Sequence, residues 1–497
     1  MRRVQMLLAL AAVAAVTASV LVVRATPTLV PLTGRVLVTP DHRMSEFMVD
    51  VSPTNPRHLV MGGIDWDDPV GGIGCGIWTS FDGGRTWSRA DDPPGLDVPH
   101  TRADPWVAFA PNGDVHMSCL HLPGAITGSL TPKLNGLDRY LRLVHARSTD
   151  GGRTWGRAEN VPALTPRNQR DKEAVFVTRS GRVLICTNDY SLVRNTLSVY
   201  RSDDGGASWL PPVVVQNIQG DQLPGGNCNG FGQAPDGTVY FVGYSAGTQG
   251  ASLDMDVFVS RDNGDSWRPV KLEGLTFPTD VNWTAEALTI YPKGTWPSIA
   301  VDPTDGDVVV SSMIWDYERG RFWSRLYRST DDGATFQPMA APVPPTALCT
   351  GCHLASPLVA FDAQGRLGLQ MMLFSNDGGM TREQWLHVSS DDGSTWLQPL
   401  LFARTDGAQE NWTNPWTWAP RNAQATVEED LWLLEHPMDA DGISSNWGAR
   451  TQGGTTHHLR LGGDYWDLAA TDEGFVVMWN DHKNGYSQIW ASLIAVS

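Results

Sequence analysis

Apolar and polar residues alternate along most of this chain in short runs, with the period of two expected of half-buried strands. Leu197-Ser198-Val199-Tyr200-Arg201 is one such run. Trp106-Val107-Ala108-Phe109-Ala110 is another, and it continues through the turn Pro111-Asn112-Gly113-Asp114 into Val115-His116. Ser298 to Val301 passes through Asp302-Pro303-Thr304-Asp305-Gly306-Asp307 into Val308 in the same way. The unit is strand, tight turn, strand. After residue 25 no long apolar pattern at helical spacing occurs, and the 50 Gly and 33 Pro supply many turns, so the chain reads as nearly all β.

A second pattern recurs with the first. Ser-x-Asp-x-Gly-x-Thr/Ser-Trp/Phe occurs at Ser80 to Trp87, Ser148 to Trp155, Ser202 to Trp209, Ser260 to Trp267, Ser329 to Phe336 and Ser389 to Trp396. The central residues Asp82, Asp150, Asp204, Asp262, Asp331 and Asp391 are 68, 54, 58, 69 and 60 residues apart. Repeats of this period predict a radial array. Each copy sits between strands, so it is a hairpin turn whose Asp accepts backbone N–H groups, whose Gly supplies positive φ and whose aromatic packs back. These aspartates are read as fold determinants.

Strand–turn–strand units begin near Glu46, Asp104, Lys172, Asn229, Trp296, Ser356 and Asp464, which gives seven blades, with six as the alternative count. The last unit has no following box. The segment Gly34 to Thr39 is left over at the other end, and pairing the first strand into the last blade would hide two sheet edges. The expected fold is therefore a seven-bladed β-propeller of four-stranded antiparallel blades over residues 26–497, with an insertion at about 405–463.

The boxes and their flanking strands resemble the bacterial sialidase-like Asp-box (BNR) repeat family from about Arg35 onward. Gly463-Asp464-Tyr465-Trp466-Asp467-Leu468-Ala469 through Trp479-Asn480-Asp481-His482-Lys483-Asn484-Gly485 is similar to the last blade of secreted members. The resemblance implies glycan chemistry: a sialidase, another exo-glycosidase, a polysaccharide lyase, or a non-catalytic propeller that binds glycan or protein. Sialidases carry an Arg-Ile-Pro-like first blade, three arginines for the substrate carboxylate, an Asp acid–base and a Tyr/Glu pair. Here the first blade reads Ser45-Glu46-Phe47-Met48-Val49-Asp50-Val51, which puts either Ser45 or a carboxylate, Glu46, where the arginine is expected. Such a group repels an anionic sugar. Asp65 or Asp67 matches the position of the acid–base, and Tyr486 or Tyr465 with Glu286 matches the pair.

With the boxes at C–D turns, the B–C and D–A connections gather on the opposite face, and function is sought there. Glu46, Asp104, Asp171 and Asp464 fall at or beside strand-A starts around the channel mouth. Such a ring reads as a cation site for Ca²⁺, as general acid and base, or as solvated strand caps. Glu46, Asp65, Asp67 and Asp104 are the catalytic candidates. Arg102, Asp171, Trp296, Trp416, Trp418 and Asp464 are the candidates for substrate binding, because flat indole rings suit sugar faces.

Met1-Arg2-Arg3 followed by the uncharged run Val4 to Val23 has the layout of an export signal, cleaved after Ala25 or retained as an anchor. The expected location is secreted, periplasmic or at the cell surface, with membrane contact only through that segment. The formal charge is -17, and loss of Arg2, Arg3 and Arg24 would leave 34 Lys and Arg against 54 Asp and Glu, a charge of -20. Nucleic acid is excluded as a partner on that balance. Six cysteines in an exported chain predict disulfides, with pairings that spacing leaves open. Cys349-Thr350-Gly351-Cys352-His353 also matches the covalent haem pattern, although the preceding Pro342, Pro344 and Pro345 favour a disulfide-pinned loop.

Overall fold

A computed structural model describes residues 27–65, 67–68, 74–96, 101–122, 142–164, 169–190, 195–218, 226–246, 253–272, 297–316, 321–345, 352–374, 381–406, 466–481 and 488–497. The leader, the insertion from 407 to 465, and Trp296, Trp416, Trp418, Asp464, Tyr465, Tyr486 and Glu286 lie outside these residues.

The strands form seven antiparallel sheets, and the described residues include no helix. Blade I runs outward through Met44–Val51, Leu59–Asp65, Gly74–Ser80 and Ser88–Arg89, labelled strands A to D. Blade II has strand A at Thr101–Phe109, B at Val115–Leu122 and C at Arg142–Ser148, and blade III has A at Gln169–Val177 and B at Val183–Tyr190. Blades IV, V and VI begin with Gly226–Gln233, Ser298–Val301 and His353–Phe361. Blade VII has three strands in sequence, Leu468–Ala470, Phe475–Asp481 and Gln488–Val496. Its fourth comes from the other end of the chain.

Leu29–Pro31 pairs antiparallel with Gln488–Val496 in the register Leu29 to Val496 and Pro31 to Ile494, and Val36–Leu37 pairs with Ala491 and Trp490. The closing strand thus begins earlier than the Gly34 to Thr39 segment, because Leu29-Val30-Pro31 already supplies the outer edge. Apolar clusters fill the spaces between blades. Phe47, Val49, Leu59, Met61 and Trp78 of blade I meet Val476, Met478, Ile489, Ala491 and Leu493 of blade VII, and Val60, Cys75 and Ile77 meet Val107, Val115 and Met117. Each blade therefore buries two faces, and none is complete without both neighbours.

The six boxes are alike. In the first, Asp82 Oδ1 accepts from Arg85 N and Thr86 N at 3.0 and 2.9 Å and from the Ser80 hydroxyl at 2.9 Å, while Oδ2 accepts from the Thr86 hydroxyl at 2.6 Å. At Asp204 the hydroxyl and N–H of Ser208 hold the carboxyl down at about 2. The box also packs across the blade seam. Gly333 has φ +70°, and a β-carbon there would lie 2.6 Å from Tyr240 of the preceding blade, which is why Gly occupies that corner. Replacement of Asp150 by Ala removes four such hydrogen bonds, and we expect a loss of about 2 kcal/mol in urea unfolding with the fold retained.

Two disulfides join neighbouring blades rather than strands of one blade. Cys75 of blade I bonds Cys119 of blade II, and Cys186 of blade III bonds Cys228 of blade IV. Cys352 is disulfide-bonded as well, so its sulfur is not available for a thioether to haem. The Cys75–Cys119 bridge closes a sequence separation of 44. Its removal by a double Cys→Ser variant is expected to cost about 4 kcal/mol in urea unfolding.

Candidate functional site

Strand A of five blades carries the same irregularity near its start. The register with strand B slips between Ser45 and Phe47, Ala103 and Trp106, Asp171 and Ala174, Asn229 and Phe231, and Ala355 and Leu358. Within four of these bulges one residue is left-handed: Glu46 at φ +50°, Asp104 at +54°, Lys172 at +55° and Gly230 at +74°. The first three have side chains, and each pays about 1 kcal/mol for that backbone. Such bulges re-aim side chains toward the channel mouth, at the face opposite the boxes.

At the seam between blades II and III this produces a carboxylate group. Asp104 is ion-paired to Lys172 Nζ at 3.1 Å, and Asp171 Oδ1 accepts the Lys172 backbone N–H at 2.9 Å. Glu173 is 2% exposed, and neither carboxyl oxygen has a hydrogen-bond partner among the described residues. Burial pushes its pKa well above the usual range, and the charges of Asp104 and Asp171 add to that effect. Asn188, opposite Asp171 on strand B, is fully buried with both amide atoms unpartnered among the described residues. Unsatisfied buried polar groups of this kind mark a place where a ligand or water completes the bonding.

The other predicted residues serve a different purpose. Asp65 ends strand B of blade I instead of lying in the loop beyond it, is fully buried, and binds His42 at 2.9 Å and Arg89 at 3.3 Å. Asp67 takes the Arg43 guanidinium at 2.9 Å. Arg102, 1% exposed, is ion-paired to Asp68 at 2.8 Å and Asp92 at 3.2 Å. Arg170 meets Asp189 at 3.2 Å and lies over the Tyr200 ring at 4.8 Å. These three arginines start the first three blades, and each already holds a carboxylate close by in the fold. Glu46 is fully buried at its own bulge.

Below the mouth, strand A of all seven blades lines a central channel of about 420 Å³. Two carboxylates that sequence reading missed face it. Asp50 accepts Val51 N and Phe109 N at 2.8 and 2.7 Å, and Asp467 accepts Leu468 N and Val49 N at 2.8 and 3.2 Å. Each therefore bridges its own strand to the next blade, using N–H groups that an innermost strand cannot pair on its open side. Burial raises Asp50 to about 6; burial, with a contribution from Asp50, raises Asp467 to about 7.

These geometries define a class: a radially closed β-propeller with Asp-box turns on one rim and buried acids around the other. The BNR repeat-like domain model matches residues 77–245. A sialidase of Micromonospora viridifaciens is 27% identical over 331 residues, covering 60% of this chain, and the chain spans 45% of that relative's length. Solved structures similar to the chain include the intramolecular trans-sialidase of Ruminococcus gnavus (TM-score 0.45, 12% identity, 71% of this chain and 95% of that one). An α-L-arabinofuranosidase of Fusarium graminearum is another (TM-score 0.43, 13% identity, 68% and 92%). Residues 77–245 thus match a BNR repeat-like domain, and the chain is similar to sialidase-like BNR-repeat propellers.

The raised acids set a pH dependence. A carboxyl whose pKa is higher folded than unfolded favours the fold fully below its unfolded value, and that contribution is lost as pH rises through the folded value. The contribution of these two acids should thus decline between about pH 4 and pH 8, while His116, His145, His353 and His387, whose pKa values burial lowers, act in the opposite sense up to about pH 6.5. Asp467→Asn should flatten the upper part of this decline, an effect on the order of 4 kcal/mol, read by urea unfolding across pH.

Proposed function

We propose that the protein is an exported glycan-active hydrolase working at the loop-side mouth of its channel, with Glu173 as proton donor and Asp104 as the partner carboxylate. The observation that carries this reading is the contrast across the seam of blades II and III. Glu173 is buried without a hydrogen-bond donor, whereas Asp104 is salt-bridged to Lys172. A carboxyl whose proton affinity burial raises, beside a second carboxylate, is what glycoside cleavage requires. Glu173 gives its proton to the leaving oxygen as the glycosidic bond breaks, and water, losing a proton to Asp104, adds to the anomeric carbon. Asn188 supplies an amide for a sugar hydroxyl.

Similarity to a sialidase supports glycan as the substrate class. The engagement of Arg43, Arg102 and Arg170 supports a sugar other than a sialate, since a substrate carboxylate would meet acids at the mouth. Export is supported by the Arg2-Arg3 leader and by disulfides between blades, which persist in oxidising compartments.

A panel of fluorogenic glycosides, including a sialoside and uronides, tests this reading. We expect turnover of a non-sialate glycoside, with Glu173→Gln lowering kcat by about 100-fold or more and KM changing little. Absence of turnover on the whole panel, with binding on a glycan array, would replace the hydrolase by a binding module.

A further inference from the structure

The seam between blades II and III is held at its box end by two imidazoles. His116 lies on strand B of blade II and His145 on strand C, and the rings stack at 5.2 Å with His116 Nδ1 2.9 Å from His145 Nε2. Both are buried. From blade III the Asp box Ser202 to Trp209 closes over them: Trp209 stands edge-on to His145 at 5.4 Å, and a β-carbon on Gly206 would lie 2.4 Å from His145 Nδ1. The box thus rests on the ring edge that carries that nitrogen. In the other boxes the same glycine corner meets groups that do not titrate in acid. Gly84, Gly152, Gly264 and Gly393 face methyl groups of Val476, Thr79, Leu184 and Met339, and Gly333 faces the Tyr240 ring.

This contact limits the protons that the pair can hold. In the neutral pair one hydrogen lies between His145 Nε2 and His116 Nδ1, and when His145 donates it, Nδ1 of His145 is bare. A further proton on either ring puts a hydrogen on that atom: His145 is either doubly protonated or, to accept from a charged His116, carries its one hydrogen there. No described residue accepts a hydrogen bond at His145 Nδ1, and the Gly206 main chain lies against it.

The charges around the pair also oppose a cation. On blade II, Asp114 is bonded by Arg147 and Asn112, and Glu159, opposite His145 on strand D (Glu159–Asn160), pairs with Arg157. On blade III, Asp203 is held by Arg182 and Asp204 by Ser202 and Ser208 of its own box. Arg147 lies against the same box, 2.6 Å from where a β-carbon on Gly205 would stand. Burial and Arg147 lower His116 to about 4; burial, His116 and Arg147 lower His145 to about 3.

We propose that the His116–His145 pair is an acid-released latch: neutral, it seats the Asp box of blade III on blade II, and charged, it frees that box before the rest of the ring opens. Hydration of the charged rings requires water at Nδ1 of His145, and water reaches it when the Gly206 corner lifts away.

The test takes the full chain from about pH 6 to about pH 3 and labels it with hydroxyl radicals, uptake at each tryptophan being read by mass spectrometry. Labelling of Trp209 should rise about threefold near pH 4, roughly half a unit above the pH at which Trp87 and Trp267, in the boxes of blades I and IV, follow. In the double variant His116→Gln, His145→Gln the side chains stay polar but do not titrate, and Trp209 should respond only together with Trp87 and Trp267. His387→Gln removes a buried imidazole of blade VI and should leave the Trp209 step in place. The order of labelling in the unaltered protein decides the case alone if the double variant does not fold. Simultaneous labelling of the three tryptophans in that protein, an early Trp209 step that persists in the double variant, or its loss in His387→Gln would overturn the latch.

Discussion

Everything in this molecule depends on the three-residue pairing that closes the circle, Leu29 to Pro31 against Ile494 to Val496. A blade is a small twisted sheet with two apolar faces, and a sheet so small is stable only when both are covered. Five blades, II to VI, obtain both covers from neighbours consecutive in the chain. The seventh obtains its outer strand, and with it a finished edge, from residues more than four hundred and fifty positions away in sequence. The core between blades VII and I, built on Phe47, Trp78, Val476 and Met478, is assembled by the same event. Closure entropy is thus met once and for the whole ring.

Closure also fixes what the inner strands can do. Each strand A faces a channel where no further strand fits, so its open side needs other partners. The protein answers with side-chain carboxylates at Asp50 and Asp467, a hydroxyl at Ser298 that accepts Val359 N at 3.2 Å, and bulges that turn residues toward the mouth. Charged groups are buried here because geometry puts them at the axis. The chemistry proposed for Glu173 and Asp104 arises from one cause: a ring leaves its innermost strands unpaired.

The fold was legible because its determinants are local and repeated. Ser, Asp, Gly and Thr at fixed offsets specify one turn, and six copies at near-equal intervals allow one kind of architecture. Even the missing box of blade VII pointed to closure by the N-terminal segment, although the strand at Leu29 was overlooked, being short and ended by a proline. The site was far less legible. Gln169-Arg170-Asp171-Lys172-Glu173 reads as a solvated charged run, and nothing local tells that the bulge buries Glu173 while Asp104 arrives from another blade. Asp65, Asp67 and Arg102 attracted notice as loop-face charges. Their partners, Arg89, Arg43, Asp68 and Asp92, are brought to them by folding, and alternation in the sequence carries no trace of a salt bridge. Asp50 was hidden for a related reason: in the otherwise apolar stretch Phe47-Met48-Val49-Asp50-Val51, the acid looks like the solvent-facing half of the pattern when it is the axis-facing half.

The meeting of Thr28 with Ser497 has a practical side. Thr28 and Ser497 touch through their hydroxyls at 2.7 Å on the outer rim of blade VII, as far from the axis as the disc extends. A label, bead or surface linker joined near Thr28 or at Ser497 would therefore depart from one point of the circumference and leave both openings of the bore uncovered. Joining Ser497 to Thr28 by a short loop, in a chain that starts at another blade boundary, would redistribute the sequence without displacing a strand.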